Sequence, residues 1–150
     1  MQPRYPIFVP SKSRYATPYT IRALQHINVP FSVVVEAQEA EAYAALVGAE
    51  HLLILPHRDE GLVVTRNWIW DYAQRLGVAR FWTFDDNIRG FYRLLHNKKY
   101  RLGSGIFLAV IEDFIDRYTN VPIAGMAYHF LAKSKQKIAP LILNTRVYSN

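Results

Sequence analysis

Arg80-Phe81-Trp82-Thr83-Phe84-Asp85-Asp86-Asn87 is a short apolar run that stops abruptly at two carboxylates and an amide. Aromatic-rich segments of this length favour strands, and bare carboxylates resist burial. The stretch therefore reads as a buried strand that delivers Asp85 and Asp86 to the rim of a sheet. Open α/β sheets bind their ligands at the carboxyl ends of the strands. Two hard oxygen donors there suit Mg²⁺ or Mn²⁺, ions that commonly share their shell with substrate phosphates. Asp and Asn also form turns, so the pair taken alone serves equally well as a cap.

Upstream, strand-like and helix-like segments alternate. Ile7-Phe8-Val9-Pro10 is an apolar run ended by Pro, and Ser11-Lys12-Ser13-Arg14 follows as a basic loop. Thr17-Pro18 predicts an N-cap with Pro at the first helical position. Ile21, Leu24 and Ile27 continue at helical spacing as far as Asn28-Val29-Pro30. Phe31 to Val35 reads as a second strand with Glu36 at its end. Ala37 to Val47 reads as a helix stopped by Gly48. His51 to Leu55 reads as a third strand, followed by a polar loop, Pro56 to Gly61. Ile69, Tyr72, Ala73 and Leu76 form a helical stripe ending at Gly77. The result is βαβαβαβ, an α/β chain with a mostly parallel, Rossmann-like sheet and right-handed crossovers. Parallel strands are covered on both faces, which accounts for their continuous apolar runs.

Beyond Asn87 the rhythm changes. Ile88 to Leu102 is basic and aromatic without a clear period. Phe107, Val110, Ile111, Phe114, Ile115 and Tyr118 predict an amphipathic helix, with Glu112, Asp113, Asp116 and Arg117 on its solvated face. Val121 to Met126 predicts a strand. Lys133 to Lys137 reads as a basic loop, and Leu141–Leu143 and Arg146–Tyr148 as late strand segments.

The chain has 150 residues, the size of one domain with a sizeable core. A hydrophobic share of 51% argues for a folded protein and against a disordered one. No cysteine is present, which excludes disulfides and thiolate metal sites. No apolar run reaches membrane-spanning length, and Met1 to Pro6 lacks a signal-peptide core. A cytoplasmic protein is the default expectation. The net charge of +6 is concentrated. Arg89, Arg93, Lys98, Lys99 and Arg101 lie together with no acid among them and with Tyr92 and Tyr100 interleaved. A run of this kind is either a solvated loop or a surface for nucleic acid.

In a parallel sheet the strand ends share one edge. There Ser11, Lys12, Ser13 and Arg14 would meet Glu36 and the Asp85-Asp86-Asn87 group. Cations and hydroxyls suit a diphosphate, and a carboxylate accepts from a ribose hydroxyl or base N–H. Arg66 and Asn67 stand near the expected start of a helix, where anions bind well. Taken singly, Thr65 or Asn67 reads as a helix cap, Arg66 as solvated, and Glu36 as a surface carboxylate. Neither G-x-G-x-x-G nor a P-loop is present.

Pro-Ser-Lys-Ser-Arg after the first strand, Glu36 after the second, Gly61-x-x-x-x-Arg66-Asn67 at a helix and a strand ending in Asp85-Asp86-Asn87 resemble the GT-A glycosyltransferases. The chain most resembles the TET-associated glycosyltransferase group of bacteriophages, from about Tyr5 to Arg101 and more loosely to the end. The resemblance implies a single GT-A-like nucleotide-sugar-binding domain over residues 1–150. It implies that Pro10, Ser11 and Arg14 line the nucleotide pocket, that Glu36 faces the base or ribose, and that Arg66 and Asn67 contact the nucleotide. Asp85 and Asp86 would occupy the Asp-x-Asp region, with Asp86 and Asn87 on Mn²⁺ or Mg²⁺. Asn87 departs from the Asp that many such enzymes place there. Glu112 and Asp113 are candidates for the base by family order, and His129 is a further one. GT-A domains usually run longer, so the resemblance also implies an abbreviated acceptor side.

The implied activity is hexosyl transfer from a UDP-sugar to a hydroxyl on a modified base in phage DNA, within the host cytoplasm. Arg89, Arg93, Lys98, Lys99 and Arg101 would hold the DNA. Two alternatives stand beside it: a nucleotide-sugar or nucleic-acid binding module without turnover, and a nucleotidyltransferase.

Overall fold

The computed structural model describes residues 2–96, 98–127, 141–144 and 147. Its centre is a parallel sheet of β1 (Ile7–Pro10), β2 (Ser32–Glu36), β3 (Leu52–Leu55) and β4 (Trp82–Thr83). The spatial order is β3-β2-β1-β4. Register pairs Val9 with Val33, Val34 with Leu53 and Phe8 with Thr83. The connections are α1 (Tyr19–His26), α2 (Ala40–Val47) and α3 (Gly61–Arg75). The expected Rossmann-like α/β sheet is therefore the observed one.

Strand side chains alternate between faces, and both faces are covered. Ile7 and Val9 pack with Leu24 of α1, with Ile27 just after it and with Leu108 of α4 (Ile106–Ile115). Phe8, between them, points the other way onto Ile69 and Ala73 of α3. Val33 and Val35 meet Tyr43 of α2. Each such side chain contributes about 1.5–3 kcal/mol of burial. Truncating Phe8 to Ala would cost about 3–5 kcal/mol, because the ring is buried between β1 and α3 and its removal leaves a cavity there.

Several expected boundaries move. Pro18, not Thr17, occupies the cap position of α1, and no side chain caps that helix. A short 3₁₀ turn, Ala37–Glu39, precedes α2. Pairing keeps only Trp82 and Thr83 of the fourth strand, although Phe84 still donates its N–H to the Phe8 carbonyl at 3.0 Å. The third helix begins at Gly61 and takes in Leu62-Val63-Val64. Val63 and Val64 are β-branched and disfavour a helix locally, and the packing of Ile69 and Ala73 further along the same helix overrides that preference. Arg66 thus lies in the second turn. Thr65 is no cap: it is buried, and its hydroxyl bonds the Gly61 carbonyl at 3.2 Å.

Two segments read differently from their pattern. The basic stretch forms an antiparallel hairpin of β5 (Tyr92–Leu95) and β6 (Lys98–Arg101). Both its faces mix cations with apolar groups, so it shows no two-residue hydrophobic period. The expected stripe on α4 is rotated. Val110 is 56% exposed, while Glu112 is only 3% exposed, because Glu112 finds partners inside the protein. Val121 to Met126 and Leu141–Leu143 form no strand. Lys133–Lys137, His129, Arg146 and Tyr148 lie outside the described residues.

Candidate functional site

The strand order marks the site. From β1 the chain steps outward to β2 and β3, then returns to place β4 on the other side of β1. The carboxyl ends of β1 and β4 therefore flank a topological switch point, the crevice where open α/β sheets bind ligands. The loop after β1 supplies Ser11 and Arg14, and the turn after β4 supplies Asp85 and Asp86.

These side chains meet. Arg14 Nε donates to Asp86 Oδ1 at 3.1 Å, and Ser11 Oγ donates to Asp86 Oδ2 at 3.1 Å. Arg66 Nη2 reaches over from α3 to Asp85 Oδ1 at 2.8 Å. Tyr43, fully buried on α2, braces the loop from below. Its hydroxyl lies 2.7 Å from Ser11 Oγ and accepts the Arg14 backbone N–H at 3.0 Å. Each hydroxyl has one proton, which sets a chain of donation from Arg14 N–H through Tyr43 and Ser11 to Asp86. Thr20 on α1 pins the acidic turn by donating to the Asp85 carbonyl and accepting Ile88 N–H at 2.9 Å.

A second cluster lies along the same edge at the end of β2. Glu36 is only 5% exposed. It accepts from Lys12 Nζ at 2.9 and 3.1 Å and from the Gln38 amide. Lys12 also bonds Asp59 in the loop after β3. Asp59 first and Glu36 second hold the Lys12 ammonium above its ordinary pKa. The Lys12 bond holds the Glu36 carboxyl below the ordinary carboxylate range, against the opposing effect of burial. Burial pushes the Tyr43 phenol up.

The structure thus brings together Ser11, Arg14, Arg66, Asp85 and Asp86, with Glu36 on the same edge. Pro10 closes β1 beside them and is buried, while Asn67 and Asn87 are exposed. Glu112 and Asp113 are not brought to this cluster. Glu112 accepts from the backbone N–H of Arg4 (2.7 Å) and Tyr5 (3.3 Å) and from Trp82 Nε1 (2.8 Å). Asp113 and Asp116 hold the Arg4 guanidinium. These contacts lie at the amino ends of β1 and β4, the opposite edge of the sheet. Arg89 stacks on Tyr19, 4.9 Å from the ring centroid. Arg93, Lys98, Lys99 and Arg101 belong to the hairpin.

The residues present fit a hydrated divalent cation. Arg66 holds Oδ1 of Asp85 and leaves Oδ2 for another partner. Among the described residues no three His, Asp or Glu converge into a metal cage. One or two carboxylates completed by water and substrate phosphates is the usual arrangement for Mg²⁺. Arg66 Nε is buried and has no acceptor among the described residues, so it retains a donor for an anion.

Tyr43, Thr20 and Asp59 were not legible as site residues. Tyr43 stands as a lone aromatic in an Ala- and Glu-rich helix, and its Val47 neighbour one turn on reads as ordinary core. Thr20 and Asp59 carry no spacing signal at all.

The family model described as TET-Associated Glycosyltransferase matches residues 5–149. No curated protein and no solved structure matches the chain.

Proposed function

This chain belongs to the TET-associated glycosyltransferase family, and from that premise we propose that it transfers a sugar from a UDP-sugar to a hydroxyl of a modified base in DNA. The observation that carries the donor site is the pair of ion pairs at the switch point, Arg14–Asp86 and Arg66–Asp85. Cations and carboxylates there neutralise one another. A diphosphate with its divalent ion would give the arginines phosphate oxygens and the aspartates a metal, and so satisfy both sets at once.

In this reading Arg14 and Arg66 hold the diphosphate by charge-assisted hydrogen bonds. Arg66 Nε gains the acceptor it lacks. Glu36 faces the ribose or base, with Lys12 keeping it ionised. Ser11 and Tyr43 fix the loop that carries Arg14. Mn²⁺ or Mg²⁺ held by Asp86 and by the Asp85 oxygen that Arg66 leaves open, with Asn87 beside them, would add positive charge against the departing diphosphate. The acceptor oxygen bonds to the anomeric carbon as the bond to the diphosphate breaks, and the hydroxyl proton leaves to a base. Arg89 and the hairpin cations hold the DNA.

One observation favours a second reading, a module that binds donor without turnover. Glu112 and Asp113, the carboxylates nominated as base, are engaged at the far edge of the sheet. Titration calorimetry with UDP-glucose and UDP, with and without Mn²⁺, tests the donor site. The expected result is metal-dependent binding that disappears in Asp85→Ala/Asp86→Ala. Absence of binding by the folded wild type would remove the donor site. UDP release with hydroxymethylated DNA then separates transferase from binding module.

A further inference from the structure

The hairpin of β5 and β6 stands apart from the main sheet. Its root is fixed: Phe91 is buried in the core, and Leu102 donates its N–H to the Phe91 carbonyl at 2.9 Å. Beyond that root every residue of the two strands except Lys99 is exposed. Leu95 pairs with Lys98 at the end of the ladder, and His96 follows β5 with a φ of 46°.

The register assigns the faces. Directly opposed residues of an antiparallel pair share a face, and neighbours along a strand alternate. Tyr92 opposes Arg101 and Leu94 opposes Lys99, which makes one face. Arg93 opposes Tyr100 and Leu95 opposes Lys98, which makes the other. Each face therefore carries two cations, one tyrosine and one leucine. No acidic residue occurs from Asn87 to Ile111.

A ribbon that lay flat on a phosphate backbone would use the cations of one face only and leave those of the other in water. Cations on both faces call for anions on both sides, and the two phosphate walls of a duplex groove supply that arrangement. The major groove is about 12 Å wide and about 8.5 Å deep and admits a two-stranded ribbon. Four residues at strand rise extend about 10 Å, which matches that depth. We propose that the Tyr92–Arg101 ribbon inserts into the major groove of duplex DNA, one face towards each phosphate wall. The proposal rests on the DNA-acceptor reading above and adds to it the duplex form and the groove.

The test measures binding of a duplex of about two turns, and of its separate strands, between about 50 and 200 mM salt. The proteins are the wild type, Arg93→Ala/Lys98→Ala and Lys99→Ala/Arg101→Ala, each verified by thermal melting to be folded. The duplex is expected to bind more tightly than either strand. Each double variant should lose on the order of tenfold or more, and its log–log salt slope should become shallower by about 2. Dimethyl sulfate should find guanine N7, a major-groove atom, protected by the wild type. Loss confined to one pair, unprotected N7 or equal affinity for single strands would overturn groove insertion while leaving DNA as the acceptor. No DNA binding, or binding indifferent to both pairs, would overturn the DNA reading with it.

Discussion

Replacing Glu112 separates a structural role from a catalytic one. Three N–H groups end on this carboxylate, from Arg4, Tyr5 and Trp82, and it is 3% exposed. It ties the chain entering β1 to the start of β4 and to α4. A hydrogen bond to a charged group contributes about 1.5–3 kcal/mol. The three are not additive, and the donors are only partly buried, so water would repair part of the loss. Glu112→Ala leaves three N–H donors without this acceptor and should then cost about 3–5 kcal/mol, at about 1–3 kcal/mol for each unsatisfied group less what water restores. Against a total of about 5–15 kcal/mol this is a large fraction. At about 2–4 °C per kcal/mol the melting temperature should fall by about 6–20 °C. Glu112→Gln keeps one acceptor but turns an amide NH₂ towards an N–H, and should cost about 1–3 kcal/mol. Thermal and urea unfolding measure both, beside UDP titration at a temperature where the variants are folded. Melting of Glu112→Ala within about 2 °C of wild type would refute the structural account. Unchanged melting combined with lost sugar transfer would return Glu112 to the role of base.

Arg66→Ala should weaken UDP binding by about 10- to 100-fold, the equivalent of about 1.5–3 kcal/mol for a charged hydrogen bond, read by calorimetry; undiminished affinity would move the diphosphate elsewhere. Tyr43→Phe leaves the packing but frees Ser11 and the Arg14 N–H. It should lower stability by about 1–2 kcal/mol and weaken donor binding, and a melt with no binding loss would show the loop needs no brace. The Lys12 cluster predicts a pH dependence. Lys12 depresses the carboxyl pKa of Glu36 below 4.5, so its stabilisation is fully present above that value and is lost as pH falls through the depressed one. The melting difference between wild type and Lys12→Met should be constant from pH 7 to about 5 and shrink in stronger acid. A difference that widened on acidification would contradict the pairing.

Much of the fold was legible because it rests on local chemistry. Apolar runs ended by Pro10, Pro56 and Asp85, with amphipathic segments between them, encode an α/β alternation wherever they occur. The same runs identified which strand ends carry cations and which carry acids. The hairpin was not legible, because residues on its two faces have the same composition and leave no period. The bounds of α3 were not legible, because Leu62-Val63-Val64 become helical through the packing of the helix they begin.

What the chain's pattern determined by itself is the set of groups: Ser11, Arg14, Glu36, Asp85 and Asp86, each placed at a strand's end by the burial of the apolar residues before it. Their arrangement was decided only in three dimensions. Alternation is blind to strand order, and it was the return of β4 to the free side of β1 that set Arg14 on Asp86 and opened the switch point between them. Glu112 shows the same limit from the other side. Helical spacing put it among solvated carboxylates, whereas three N–H donors from residues distant in sequence made a buried site for it. Burial of a charge depends on partners that only the folded chain assembles, and no local pattern records them.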